Sequence, residues 1–255
     1  MSSESPRSPD AWSKLLKDDW ERRAQSPSRD FFVASHPGWN KPERWAAQAQ
    51  ADTDGILLGV DRKELARAHM LEIGCGVGRL ARTFRPLVQS YTGFDISASM
   101  VAEASERSAD LPDTRFFEGD GLRIPDGARD RTYDFVLSLA VFIHCPKDVI
   151  SGLLDDAWSL MSPGALLRCQ VRANAKDPTG IDTGSVQAAE TMEKTSKKVM
   201  EEATDDQMDL IDDHPYMGYE FGYEEFAALV AGRSPAETKI FRPDATMIYA
   251  SLRKA

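Results

Sequence analysis

Cysteine is scarce in this 255-residue chain. Cys75, Cys145 and Cys169 are too few and too widely spaced for a disulfide framework or a zinc site. They read as small reduced side chains on a turn, a loop and a strand. Long apolar runs are missing as well. No stretch approaches the roughly 18 residues that a membrane-spanning helix needs, so no membrane partner is expected. Residues 1–9 are rich in Ser and Pro without an apolar stretch. They read as a disordered tail and not as a signal peptide, which makes the expected location cytoplasmic. Positive charge is also in deficit. Lys and Arg number 31 against 41 Asp and Glu, a net charge of −10. Nucleic-acid binding needs a basic face, and no long basic run supplies one, so DNA and RNA are not expected partners. The four histidines, His36, His69, His144 and His214, fall in no cluster with metal-ligand spacing, and no metal is expected.

What the chain does have begins at Met70-Leu-Glu-Ile-Gly-Cys-Gly-Val-Gly-Arg-Leu80 and continues to Tyr91-Thr-Gly-Phe-Asp95. Leu71 and Ile73 are apolar and bounded by glycines, the pattern of a short parallel strand. Gly74, Gly76 and Gly78 form a turn whose backbone can approach a ligand. Leu80, Ala81, Phe84, Leu87 and Val88 then make one apolar helical face, with Pro86 near its end. A strand, a glycine turn, a helix and a second strand ending in an acid form a unit that grips the ribose of a nucleoside-containing cofactor. Gly76-Val-Gly-Arg-Leu-Ala81 also fits the dinucleotide fingerprint, with Asp95 close to the expected spacing of roughly 20 residues. Glu72 argues against that reading. A carboxylate two residues before the first glycine would repel a phosphate and suits a cationic ligand.

Glu72-Ile-Gly-Cys-Gly-Val-Gly78 resembles the first motif of class I S-adenosylmethionine-dependent methyltransferases, and the later segments resemble that family in order. Asp95, followed by Ile96, resembles the acid that accepts hydrogen bonds from both ribose hydroxyls. Glu118-Gly-Asp-Gly-Leu122 resembles the end of the third strand, where Asp120 meets the adenine amino group and the backbone of Gly121 and Leu122 meets the ring. Tyr133-Asp-Phe-Val-Leu-Ser138 resembles the fourth strand, and Leu160-Met-Ser-Pro-Gly164 the turn into the fifth. The resemblance is close from about 68 to 172 and looser from 223 to 253. It implies S-adenosylmethionine as cofactor, S-adenosylhomocysteine as product, and no metal. The implied cofactor-binding residues are Glu72, Gly74, Cys75, Gly76, Gly78, Arg79, Asp95, Ile96, Asp120, Gly121, Leu122 and Ser138.

The organisation along the chain fits an α/β fold. A doubly wound, mostly parallel, seven-stranded Rossmann-like sheet with an antiparallel last strand is expected, with N-terminal helices and an inserted lid. The expected segments are a tail at 1–9, a helical cap at 10–66, a cofactor core at 67–173, an insert at 174–222, and the rest of the core at 223–255. In the cap, residues 10–25 and 42–50 read as helices, with an aromatic loop, Phe31 to Trp39, between them. Between 174 and 215 there are eleven acids against four bases. That insert, at the carboxyl end of a strand, lies where ligand crevices form. It is expected to select substrate, with an oligomer contact such as a homodimer or a disordered acidic loop as the alternatives.

Methyl transfer needs alignment and exclusion of water more than it needs a catalytic side chain. A hydroxyl or protonated amine acceptor would benefit from a general base. His144, just after the fourth strand in Ser138-Leu-Ala-Val-Phe-Ile-His144, is the candidate for that role. Phe31, Trp39, His144, His214, Tyr216 and Tyr219 are candidates to contact substrate. The leading reading is a methyltransferase acting on an oxygen or nitrogen of a small molecule. The alternatives are an NAD-dependent oxidoreductase, a peptide or protein methyltransferase drawn to the acidic insert, and a non-catalytic cofactor-binding protein.

Overall fold

The computed structural model describes residues 8–34, 38–181, 204–212 and 218–255. The cap begins with α1 (Pro9–Ala24). The Ser8 hydroxyl accepts the Ala11 amide at 3.3 Å, and Pro9 takes the first helical position, where its missing N–H costs nothing. Then follow α2 (Arg29–Val33), α3 (Pro42–Ile56) and α4 (Arg62–Leu65). The core alternates β1 (His69–Ile73), α5 (Ala81–Phe84), β2 (Ser90–Asp95), α6 (Ala98–Arg107), β3 (Thr114–Glu118), β4 (Tyr133–Ser138), α7 (Lys147–Leu160) and β5 (Met161–Ala173). The remainder comprises α8 (Asp205–Asp212), β6 (Glu220–Phe221), α9 (Tyr223–Ala231), β7 (Glu237–Phe241) and β8 (Met247–Arg253).

The sheet runs in the order β3-β2-β1-β4-β5-β8-β7. Strands β1 to β5 are mutually parallel, and β8 is antiparallel to both β5 and β7. The winding reverses between β1 and β4, so the ligand crevice of such a sheet belongs at their carboxyl ends. Alternate residues face opposite layers. Leu71, Ile73, Phe94 and Val136 pack in one core with Ile150, Leu153 and Leu154 of α7 and Phe226 and Val230 of α9. Met70, Tyr91, Phe135 and Leu137 pack on the other face with Leu80, Phe84 and Ala49.

The doubly wound α/β reading holds, with corrections. Among the described residues the sheet has eight strands, not seven. The addition is β6, which pairs in parallel with Arg172 and Ala173 at the end of β5. Two residues are too few to show a strand's alternation in sequence, and only the neighbouring strand makes them one. The aromatic segment expected as a loop opens inside α2, and the helix after the glycine turn is a single turn, Ala81–Phe84. Of the expected tail, residues 1–7 lie outside the described residues, whereas Ser8 and Pro9 start α1. Of the expected insert, 182–203 and 213–217 lie outside them too. Its described helix α8 docks on the cap. Gln207 Nε2 donates to Ser28 Oγ at 2.9 Å, and Arg23 Nη2 donates to the Leu210 carbonyl at 2.6 Å. The first turn of the insert is tied to the end of β7 by Arg242, which is 0% exposed. Its guanidinium donates to the carbonyls of Asn174, Asp177, Thr179, Asp244 and Ala245.

Candidate active site

The glycine turn between β1 and α5 is fastened to β2. The amides of Gly74 and Cys75 both donate to the Phe94 carbonyl, at 2.8 and 3.0 Å. Gly74 has φ +71°, and a Cβ there would come within 2.2 Å of Val141 Cγ2, so the turn can carry no side chain at that point. The Gly76 amide donates to Asp95 Oδ2 at 2.8 Å, and the Ser97 amide to Asp95 Oδ1 at 3.0 Å. Each carboxylate oxygen therefore keeps acceptor capacity for a ligand hydroxyl. Burial raises the Asp95 pKa, and these backbone hydrogen bonds oppose the rise. Gly78 packs against Ala104 of α6.

Glu72 is only 4% exposed and lies beneath the turn, where the Tyr91 hydroxyl donates to its carboxylate. Burial pushes its pKa up to about 7, against the Tyr91 hydrogen bond and the positive charge of Arg79. Cys75 is buried beside Gly93, and burial raises its thiol pKa well above the usual range. This is the environment of a packing residue, not of a nucleophile. Arg79 reaches into the cap. Its guanidinium is 2.6 Å from Asp52 of α3 and 5.9 Å from the Trp45 ring centroid.

At the end of β3, Asp120 Oδ1 accepts the amides of Leu122 and Arg123 at 2.8 and 3.0 Å. Ile96 packs against Gly121 in the same corner. Ser138 ends β4 at 2% exposure, and its hydroxyl has no hydrogen-bond partner among the described residues. His144 closes a short helical turn, Phe142–His144, with its amide on the Val141 carbonyl at 2.9 Å. Tyr219 crosses this turn, its amide donating to the Cys145 carbonyl at 3.1 Å and its hydroxyl to Glu225 at 2.9 Å. Gly218 lies so close that a Cβ would be 2.0 Å from the Ile143 carbonyl oxygen. Phe31, 2% exposed, is packed against Phe32 and Trp39 in the cap. His214 and Tyr216 lie outside the described residues.

Sequence reasoning missed how α1 lies over these groups. Ser13 donates to the Asp120 carbonyl, and Lys17 pairs with Glu118. Glu21 accepts from the Ser97 hydroxyl at 2.6 Å and from the Ser99 amide at 3.2 Å, at the start of α6. These bonds outweigh partial burial and pull the Glu21 pKa down to about 2. Trp20 meets the His144 ring edge-on, with centroids 5.1 Å apart. Residues 13, 17, 20 and 21 share one helical face by their spacing, but Trp20 reads equally well with the apolar set Trp12, Leu15 and Leu16. A cleft of about 350 Å³ opens instead near the amino ends of the strands, lined by Val60, Asp134, Phe135 and Arg253, away from these groups.

Two acids and a buried hydroxyl without a partner among the described residues suit a nucleoside that carries an ammonium and a sulfonium. They suit a pyrophosphate poorly. Arg79, the cation nearest the turn in sequence, is already paired with Asp52, and Glu72 and Asp95 would repel phosphate.

Residues 70–164 match the family model described as a methyltransferase domain. The magnesium protoporphyrin IX methyltransferase of Arabidopsis thaliana is 31% identical over 115 residues, 44% of this chain and 36% of that protein. The chain thus spans little more than a third of this relative's length. Among solved structures, the Burkholderia thailandensis 1,6-didemethyltoxoflavin-N1-methyltransferase, holding its substrate and S-adenosylhomocysteine, superposes with a TM-score of 0.61. The alignment is at 16% identity over 100% of this chain and 93% of that one. The DhpI complex with S-adenosylhomocysteine gives 0.60, at 16% identity over 96% and 97%. At these identities the likeness is one of fold. With the ordered motifs and the matching domain, residues 70–164 are similar to the methyltransferase domain of the class I S-adenosylmethionine-dependent family.

Proposed function

We propose that the chain moves the methyl group of S-adenosylmethionine to an oxygen or nitrogen of a small molecule by in-line displacement, with S-adenosylhomocysteine as product. The observation that carries this reading is Asp95, bound to the Gly76 amide of the glycine turn at the carboxyl edge of the sheet. The bound cofactor would supply an electrophilic methyl carbon on a sulfonium. In this reading Asp95 holds the ribose hydroxyls and Asp120 the adenine edge. Glu72 lies beneath the turn, where a cationic ligand would draw it to its charged form, and Ser138 offers its buried hydroxyl at the carboxyl end of β4. Helix α1 covers the adenosine side and excludes water. His144 takes the proton of an acceptor hydroxyl or ammonium through its imidazole nitrogen. Arg79 acts on the cofactor only through the turn, since its partner is Asp52.

The relatives named for porphyrin and toxoflavin-type acceptors support a small-molecule acceptor here. Action in the cytoplasm and a homodimer contact through the insert belong to the same proposal. Sedimentation of the purified chain tests the contact, and a single monomeric species excludes it.

Calorimetric titration with S-adenosylmethionine, S-adenosylhomocysteine and NAD tests the cofactor. The two adenosyl ligands bind, and binding falls at least 100-fold in Asp95→Ala. Tight NAD binding without a response to the adenosyl ligands would overturn the reading.

A further inference from the structure

Alternate residues of β5 face the layer that holds α3. Arg168 is one of them, level with Leu137 of β4, which packs in the same core as Ala49 of α3. The Arg168 guanidinium is satisfied, donating to the Ile56 and Leu58 carbonyls at and just past the end of that helix. Gln170 and Arg172 follow on the same face, and Tyr249 of β8 stands directly across from Gln170. Gln170 is 7% exposed, and Arg172 and Tyr249 are half-buried. Among the described residues none of these three side chains has a hydrogen bond or an ion pair. Buried polar groups are hydrogen-bonded as a rule. Three neighbours left open on one face point to a ligand that completes them.

Their place fits the acceptor side of the crevice. Cys169 is level with Ser138, and Ser138 with Ile73, the last residue before the glycine turn. Arg172 lies three residues further on, about 10 Å past that edge, and two strand spacings, about 10 Å, to the side of β1. Asp52 links the two places. It is 2.6 Å from Arg79 of the turn, and its charge acts on Tyr249. Burial, with Asp244 and Asp52 nearby, pushes the Tyr249 pKa up to about 12, so the phenol keeps its proton and can donate it in a hydrogen bond. The carboxylates around the three groups are engaged elsewhere. Asp52 faces Arg79, and Asp244 Oδ1 accepts the Thr246 and Met247 amides at 2.6 and 3.1 Å. Glu220, opposite Arg172 in β6, is exposed and makes no ion pair with it. What is left to be matched is the positive charge of Arg172. Its planar fork takes both oxygens of a carboxylate side by side.

We propose that Arg172, Gln170 and Tyr249 form the subsite that holds a carboxylate of the methyl acceptor, so that the substrate is a small carboxylic acid. The inference rests on the reading of the chain as an S-adenosylmethionine-dependent methyltransferase. It names the anchor of the acceptor and not the atom that is methylated.

The test is nitrogen–proton correlation NMR of the full chain with ¹⁵N-labelled arginine and saturating S-adenosylhomocysteine, the Arg172 Nε–H peak being identified by its loss in Arg172→Lys. Benzoate is titrated in, with benzamide as its neutral counterpart and inorganic phosphate as a competing anion. Benzoate moves the Arg172 peak with a Kd below about 20 mM, and benzamide and phosphate leave it in place. Gln170→Leu and Tyr249→Phe each raise the benzoate Kd by about threefold or more, while S-adenosylhomocysteine affinity, read by calorimetry, changes less than about threefold. If S-adenosylhomocysteine binds and benzoate does not move the peak, the carboxylate subsite is wrong and the cofactor reading stands. Movement by phosphate that equals or exceeds that by benzoate also overturns the carboxylate assignment. If S-adenosylhomocysteine does not bind the wild type, the cofactor reading fails, and the assignment of these groups to a methyl acceptor fails with it.

Discussion

Glu72 stands where a carboxylate can meet a cationic ligand, yet its neighbour in the fold is the Tyr91 hydroxyl, and burial has lifted its pKa to about 7. Because the folded-state value lies above the ordinary 4.5, folding favours the protonated acid. That contribution is complete below about pH 4.5 and is lost as the pH rises through 7. Relative to Glu72→Gln, the wild type should lose on the order of 3 kcal/mol between pH 4.5 and 8. Urea unfolding of both proteins across that range measures it, and parallel curves would show that Glu72 does not titrate there. Tyr91 has the complementary role. Tyr91→Phe removes the donor and leaves a buried carboxylate without it, a loss of about 1–3 kcal/mol in the same unfolding assay at pH 7.

At the scale of the element, α1 lies over the end of β3 and the start of α6. Its sequence makes it a helix through Ser8, Pro9 and its basic last turn. Its place depends on side chains that meet partners remote in sequence, Ser13 with Asp120 and Glu21 with Ser97 and Ser99. Glu21→Ala should free the first turn of α6 and loosen α1. Hydrogen exchange of residues 9–24 should quicken at least tenfold, and S-adenosylhomocysteine should recover part of the protection if α1 closes over it. Unchanged exchange would mean that packing alone holds the helix. The hydrogen bonds that lower the Glu21 pKa are present above its ordinary range and lapse as the pH falls toward 2, so α1 should loosen first on acidification.

At the scale of the whole molecule, Arg242 joins parts of the chain more than 60 residues apart. It satisfies carbonyls at the root of the insert and at the turn between β7 and β8 with one buried cation. Arg242→Met takes the buried donor away from five backbone carbonyls and should cost about 3–5 kcal/mol in global unfolding. A loss under 1 kcal/mol would show that the turn re-forms without it. Ligand binding acts on the whole fold as well. S-adenosylhomocysteine at 100 times its Kd should stabilise the protein by about 2.7 kcal/mol, read as a rise in Tm, with no rise from NAD.

The amino-acid sequence by itself determined the doubly wound core and its likeness to a methyltransferase domain, because glycines, strand-end acids and apolar periodicity are local signals that recur in a fixed order along the chain. Glu72, Gly74, Asp95 and Asp120 could be named that way. The third dimension decided the rest. Whether Glu72 keeps its charge depends on Tyr91, 19 residues on and across a strand pair. Arg79 belongs to Asp52, not to the turn that contains it. Strand β6 exists only because β5 offers it a free edge. Trp20 reaches His144 because α1 lies across the sheet. Each of these depends on groups distant in sequence that the fold brings together, where pairing and burial set charge and orientation, and no local pattern records which groups will meet.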